Sequence, residues 1–486
     1  MTATADPATR RTRRDAVPSP APVRAGRSWG GDAAGAAALG SLVVVTALWL
    51  HDGGLQQLLA TGSYGTADSL TSAGRLLGLL ASDLLLLQCL LLARIPWVER
   101  TWGQDRLVRW HRWTGFTSFW GMVAHIGVIT FGYSWAGDAG AGARLRALAA
   151  EGWDLLVSYP GMLLAAAGTA CLVMVVVTSV RAARRRLRYE SWHLLHLYAY
   201  LGVALALPHQ LWTGSDFVGN PVATACWWAL WAAAATALLV FRLGVPAWHT
   251  WHRRLRVAGV VQEAPGVVSV AVRGHRLDRL GWQAGQFAVL RFRDGPGWTR
   301  GNPYSLSAAP HPEWMRVTVR DAGDGSARAA HLRPGTRVLL EGPFGRLTLE
   351  AREDPTRPVL LVGAGVGTAP LRALFEAVPP SVPALLVQRA SREADVLHGE
   401  ELREIAAASG GSKRTAALVG PRAAGSWLPQ EWAHLDDAGA LLHLAPWVAG
   451  ADVYVCGPGP WAQAVERAAR RAGVPRSRVH VEGFAW

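Results

Sequence analysis

Residues 111–132, HRWTGFTSFWGMVAHIGVITFG, decide the fold. The run is apolar and long enough to cross ~30 Å of hydrocarbon as a helix. Two imidazoles sit inside it, and a polar ring within a bilayer is costly enough to need a reason. His111 and His125 lie fourteen residues apart, which on a helix is roughly 20 Å along the axis and within ~40° of one face. Five further apolar runs, near 33–50, 70–93, 156–180, 191–211 and 221–244, bring the spans to six.

The fifth run carries His196 and His209, thirteen apart, with His193 one turn before His196. Spans three and five run in the same direction, so His111 is level with His196 near one face and His125 with His209 near the other. Thirteen residues leave a residual of ~140° around the helix. Pro208, directly before His209, is able to kink or rewind the span there. A lone membrane histidine is more often an interhelical hydrogen-bond donor than a ligand. Two cross-helix pairs at two depths are what two bis-histidine haems, one above the other, would require.

Working outward, the charges orient the bundle. The formal net charge of +14 is mostly arginine and clusters beside the spans. Arginines crowd the tail, the second-to-third connection (Arg94, Arg100, Arg106, Arg109), the fourth-to-fifth (Arg181, Arg184, Arg185, Arg186, Arg188) and the stretch after the sixth span. The alternate connections are nearly free of them, so the positive-inside rule puts both termini and the soluble half in the cytosol of a multi-pass cell-membrane protein. Basic clusters with this cause do not call for nucleic acid. Cys89, Cys171, Cys226 and Cys456 form no CxxC pair, which argues against zinc, iron–sulfur clusters or a disulfide framework. Residues 1–32 read as a disordered basic tail.

Beyond about Trp251 the pattern becomes short alternating strands with glycine turns, such as 267–272 and 287–292. This is the signal of a small antiparallel barrel. Further on, the buried run Val359–Val362 leads into Gly363-Ala364-Gly365-Val366-Gly367-Thr368-Ala369-Pro370 and a helix start. Glycines let a phosphate approach the backbone, and the helix N-terminus favours its charge, so Gly363, Gly365, Gly367, Thr368 and Pro370 form a candidate nucleotide cradle. A second buried strand ends at Gln388-Arg389-Ala390-Ser391-Arg392. Arg389 or Arg392 either meets a 2′-phosphate, favouring NADPH over NADH, or is a solvated arginine.

The H-x13-H and H-x12-H pairs, with Tyr189-Glu190-Ser191-Trp192-His193-Leu194-Leu195-His196, resemble the NADPH oxidase and ferric reductase transmembrane family. The resemblance implies that His111, His125, His196 and His209 are the haem ligands, with His193 the fallback for His196. Arg75 matches an arginine of that family near the outer haem, or is an interfacial anchor. Asp83, in the same span, is an interhelical hydrogen-bonding group or part of a proton path. Ile129 stands where oxygen-reducing animal members carry a second histidine, which weakens the case for oxygen as acceptor.

In the soluble half, Asn302-Pro303-Tyr304-Ser305 resembles the flavin signature of ferredoxin–NADP reductase-like domains, with Asn302 in place of the usual basic residue. The resemblance implies that Tyr304 packs on the flavin and Ser305 hydrogen-bonds its N5. Gly325-Ser326 resembles the pair that meets the pyrophosphate, and Gly342-Pro343-Phe344-Gly345 the turn that closes the barrel. Cys456-Gly457-Pro458 resembles the motif beside the nicotinamide, and either Phe484 or Trp486 is the terminal aromatic over the flavin.

The whole reading is multidomain. It comprises a six-helix transmembrane haem-binding bundle (33–245), an antiparallel β-barrel FAD domain (251–350) and a Rossmann-like α/β NADPH domain (357–486). Electrons would pass from NADPH through FAD and two b-type haems to an external acceptor. That acceptor is oxygen giving superoxide or, alternatively, a ferric chelate, a quinone or an extracytoplasmic protein. A haem-binding membrane sensor with an inactive reductase is the third reading. The bilayer is the standing partner, and the chain is either a monomer or a homo-oligomer.

Overall fold

The computed structural model describes residues 29–61, 65–135, 140–187, 189–295 and 297–483. Among these, six helices are long and apolar enough to cross a membrane: Trp29–His51, Gly65–Leu91, Arg106–Tyr133, Met162–Ser179, Ser191–Thr213 and Pro221–Arg253. Their order and number follow the apolar runs. Most of the basic tail, residues 1–28, lies outside the described residues. Its last four residues, read above as tail, already belong to the first helix, where Asp32 suits the positive N-terminal end.

The fourth span differs at its start. Residues 156–158 end a separate helix, Ala141–Ser158, and the span proper begins at Met162. Pro160 lacks a backbone donor and Gly161 takes a left-handed turn (φ 83°), so the helix cannot run through. The sixth span reaches Arg253 because Leu239–Gly244 winds as a π-helical turn and continues into Val245–Arg253.

The fifth span keeps its helix through Pro208, from Tyr189 to Thr213. Spans four and five approach closely because Gly168 and Gly202 face each other; a Cβ on either would lie within 3.0 Å of the other's carbonyl oxygen. Asp83 is buried and accepts a 2.9 Å hydrogen bond from the Ser41 hydroxyl of the first span. A buried carboxylate needs such a partner, so the interhelical role expected of it has a contact behind it.

The antiparallel set appears as two three-stranded sheets that share one apolar core. One orders β1 (Arg256–Ala264), β2 (Val267–Arg273) and β5 (Trp314–Arg320); the other orders β4 (Asn302–Ser305), β3 (Phe287–Phe292) and β6 (Val338–Phe344). Isolated bridges at Arg256↔Arg337 and Leu306↔Val317 join their edges. A parallel five-stranded sheet follows, in the order β11 (Val479–Gly483), β10 (Asp452–Gly457), β7 (Val359–Ala364), β8 (Ala384–Ala390), β9 (Lys413–Val419). Its central strands are buried on both faces, as their unbroken apolar runs require. Trp427 and Trp461 fill one side, and Leu371, Leu374 and Phe375 the other.

The antiparallel domain touches the membrane half directly. The Arg94 guanidinium lies 4.3 Å over the Phe344 ring, and Phe344 packs on Phe287 at 5.8 Å. Arg94 is paired at 3.8 Å with Glu99, which is almost fully buried. Burial pushes the Glu99 carboxyl up to about 7, against the pull of Arg94.

Candidate functional site

The histidines gather at two depths of the bundle. His111 and His196 face each other across spans three and five, with ring centroids 6.2 Å apart. His111 directs Nδ1 at the Gln88 carbonyl oxygen (3.0 Å), and His125 directs its own at the Gly74 carbonyl (2.7 Å). Gln88 and Gly74 are themselves fourteen residues apart on the second span. One neighbouring helix therefore fixes both third-span rings by Nδ1, leaving each Nε2 for another partner. His196 Nδ1 lies 3.4 Å from the Ser179 hydroxyl. His193 is exposed and His196 is half-buried. At the other depth, His209 is an electrostatic neighbour of His125, and its Nδ1 is buried without a hydrogen bond of good geometry.

These donors suit a metalloporphyrin. Metal-bound histidines characteristically tie the second ring nitrogen to a carbonyl, which sets tautomer and ring orientation. Two rings on opposite sides of one iron need centroids roughly 6 Å apart, from bonds of ~2 Å plus the half-width of each ring. Among the described residues there is no group of three or more His, Cys, Asp or Glu side chains that could hold a bare metal ion.

The glycines around these rings were not singled out by sequence reasoning. A Cβ on Gly78 would lie 2.6 Å from His125 Nδ1, and one on Gly161 would lie 2.8 Å from the His209 backbone nitrogen. The available signal was the spacing of Gly74 and Gly78 on the span facing His125. Ile129 packs on Gly74. Arg75 bonds Asp216 through two nitrogens, Asp52 at 2.8 Å and Gln57 at 2.8 Å, tying the second span to the segments that follow the first and fifth spans.

In the antiparallel domain, Tyr304 and Ser305 lie on β4 opposite Ala288 and Phe287 of β3, and Pro303 and Asn302 lie opposite Val289 and Leu290. Tyr304 is turned into the core, its ring tilted 6.2 Å from Phe292, and burial pushes its hydroxyl up to about 12. The Ser326 hydroxyl accepts from the Ala322 amide (2.7 Å) and donates to the Gly323 carbonyl (2.9 Å), shaping the turn that holds Gly325. The Gly345 turn lies beside the Phe287 ring, and a Cβ added there would be 3.7 Å from the Glu482 carboxyl. That contact brings the end of β11 to the β3–β4–β6 sheet. Cys456, beside Glu482 in the register of β10 and β11, is fully buried, which drives its thiol well above the ordinary range. Gly457 packs on Trp461, with Pro458 next in the chain. Phe484 and Trp486 lie outside the described residues.

The glycine turn runs from β7 into the helix Thr368–Ala377. Gly365 is left-handed (φ 53°) with open space where a side chain would point, whereas a Cβ on Gly367 would collide with the Cys456 carbonyl oxygen. Gly363 is held against Thr368 and Leu371. Thr368 and Pro370 are buried at the helix start. At Gly367 backbone therefore approaches backbone, and only glycine fits. Of the two arginines at the end of β8, Arg389 is buried and spends its guanidinium on the carbonyls of Ala390, Leu418 and Gly420. It is a buried strand-end clamp: both terminal nitrogens are on carbonyls, and its Nε is buried without a partner. Arg392 is exposed and paired with Asp395 at 2.8 Å.

Residues 77–207 match the family model described as a ferric reductase like transmembrane component. The C-terminal module is similar to ferredoxin reductase components and flavohemoproteins. One is the ferredoxin reductase component of a 3-ketosteroid-9-alpha-monooxygenase from Mycolicibacterium smegmatis, 32% identical over 47% of this chain and 65% of that one. Another is a flavohemoprotein of Xylella fastidiosa, 30% identical over 42% of this chain and 51% of that one. The chain thus spans between half and two thirds of the length of these relatives. A Neisseria gonorrhoeae ferredoxin NADP+ reductase solved with bound FAD and NADP is 20% identical, covering 47% of this chain and 97% of its own, at a TM-score of 0.39.

Proposed function

We propose that this chain, a ferric reductase-like transmembrane component joined to a ferredoxin reductase-like module, is an NADPH-dependent transmembrane oxidoreductase. It moves electrons through FAD and two b-type haems to an acceptor on the far side of a cell membrane, with oxygen reduced to superoxide as the leading reading. The observation that carries this is the His111–His196 pair at 6.2 Å, with both third-span rings oriented by second-span carbonyls. The arginine asymmetry of the connections supports nicotinamide oxidation on the cytosolic side.

His111 and His196 would hold the inner haem, and His125 and His209 the outer one. Ser305, Gly325 and Ser326 would hold FAD, with Tyr304, turned into the core, backing them rather than lying flat on the flavin, and the Gly363–Pro370 turn, with Arg392 and Cys456-Gly457-Pro458, would receive the nucleotide. Bound there, FAD supplies the exchange between two-electron hydride chemistry and one-electron transfer, and the haems supply a one-electron path through hydrocarbon. The protein's own part is orientation. Glycines keep backbone close to phosphate, carbonyls fix the imidazoles, and the Arg94–Phe344–Phe287 contact holds the reductase against the bundle. Arg392 has to leave Asp395 to meet a 2′-phosphate, so preference for NADPH over NADH is modest.

A second reading, a ferric chelate or extracytoplasmic protein as acceptor, is favoured by Arg75. Its charge is neutralised by Asp216 and Asp52, so it offers no open cation to a superoxide anion. The test is anaerobic addition of NADPH to FAD-supplemented protein while the haem Soret band is followed, then admission of oxygen. Haem reduction followed by rapid reoxidation supports the oxidase. Reduction that only a ferric chelate reverses supports the second reading. Absence of haem reduction ends both.

A further inference from the structure

The loop after β8 is fastened to the antiparallel domain by a buried histidine that the function above does not use. His398 precedes the helix Gly399–Ala407 in a left-handed conformation (φ 54°) unusual for a residue with a side chain. Its ring is 1% exposed. Nδ1 lies 3.2 Å from the Glu263 carboxylate of β1 and 3.5 Å from Glu401 of its own domain. Nε2 lies 3.1 Å from the Thr318 hydroxyl of β5, which in turn lies 2.9 Å from Ser269 of β2. Two strands of one sheet therefore meet a single imidazole, and the third is joined to it through Thr318. Burial alone would push the Glu263 carboxyl up, but the His398 hydrogen bond and charge, with Ser269 and Arg316, outweigh it and hold the carboxyl below its ordinary value.

The contact leads on to the nucleotide turn. Leu397 packs on Ala264 and Val267, and its carbonyl accepts from Gln388 Nε2 at 3.1 Å. The same amide nitrogen donates at 3.1 Å to the hydroxyl of Thr368, the first residue of the helix after the glycine turn. Arg316 of β5 adds a second tie, to Glu401 at 2.9 Å. Buried polar networks of this kind, fully partnered, fix one geometry.

We infer that His398 is a positioning residue whose clasp between Glu263, Thr318 and Glu401 sets the phosphate turn relative to the antiparallel domain that carries the flavin residues, and thereby the approach of the nicotinamide. It touches no reactant; the carbon–hydrogen bond that breaks, and the hydride passing with its electron pair to the flavin, lie elsewhere. The inference rests on the NADPH–flavin reading given above.

The test compares the full-length protein with His398→Ala, His398→Gln and Thr318→Val. Anaerobic flavin reduction at saturating NADPH slows about tenfold or more in His398→Ala, because misplacement of about an ångström is enough for that. KM for NADPH stays within about twofold, FAD content is unchanged, and His398→Gln and Thr318→Val fall between. Amide hydrogen exchange across 396–401 quickens in the same order, while the paired strands β2 and β5 keep their protection. Unchanged exchange and unchanged flavin reduction in His398→Ala overturn the inference. So does loss of FAD and of strand protection together in both His398→Ala and Thr318→Val, which marks a merely structural role. Where the wild-type protein transfers no hydride at all, the functional reading is what fails, and the exchange pattern still decides whether the clasp exists.

Discussion

Replacing Gly78 by alanine removes one haem and leaves the reductase half intact. The added Cβ lies 2.6 Å from His125 Nδ1 and 2.7 Å from Cε1, about 1 Å inside ordinary van der Waals contact. The ring has to move by that amount, and its 2.7 Å hydrogen bond to the Gly74 carbonyl then lengthens to about 3.7 Å, beyond a useful hydrogen bond. Overpacking costs about 1–3 kcal/mol, and the lost hydrogen bond about 1 kcal/mol more. Loss of such an orienting partner lowers metal affinity by about 10–100-fold. The assay is porphyrin per chain by pyridine haemochromogen on protein purified in detergent. The wild type is expected to carry two, and Gly78→Ala one, with NADPH-driven flavin reduction retained. Gly127→Ala is the control, because nothing lies within 4 Å of its added Cβ. Full haem content in Gly78→Ala, or equal loss in Gly127→Ala, refutes the reasoning.

Gly367→Ala drives a methyl into the Cys456 carbonyl, and is expected to cost about 1–3 kcal/mol and to weaken NADPH binding at least tenfold with FAD retained, measured by nucleotide titration. Arg392→Ala lowers the NADPH-to-NADH ratio of kcat/KM, whereas Arg389→Ala leaves that ratio unchanged and lowers the melting temperature, since its carbonyl partners lose their donor. Glu99, raised from an ordinary 4.5 to about 7 by burial, stabilises the fold fully below about pH 4.5 and loses that contribution as pH rises to about 7, at ~1.4 kcal/mol per unit. Thermal unfolding of wild type in detergent therefore shows declining stability across that window, and Glu99→Gln flattens it.

Much of the architecture is legible because its causes are local. Apolar runs of bilayer length mark the six spans, and the Val359–Val362 run with its glycines marks the parallel sheet. The fourth span's true start was readable in Tyr159-Pro160-Gly161, yet apolar residues on both sides masked it. Thirteen-residue spacing on the fifth span leaves the His209 face open in sequence; the Gly161 turn packed on its backbone is a contact between spans, and no one-dimensional pattern carries it. Arg389 looks like a phosphate ligand by position alone. Only the approach of the Leu418 and Gly420 carbonyls from the neighbouring strand shows that its terminal nitrogens are turned inward as a clamp. The His398 clasp joins residues as far apart in sequence as Glu263 and His398, and its strength lies in burial.

Imidazoles at two depths would set a conducting path between the two faces of the bundle. The most direct measurement uses sealed proteoliposomes with NADPH outside and ferricyanide, which does not cross lipid, trapped within. The expected result is that trapped ferricyanide is reduced by the wild type and not by His125→Ala, while His125→Ala still reduces ferricyanide supplied on the NADPH side. Trapped ferricyanide reduced equally by both proteins, or by neither, contradicts it.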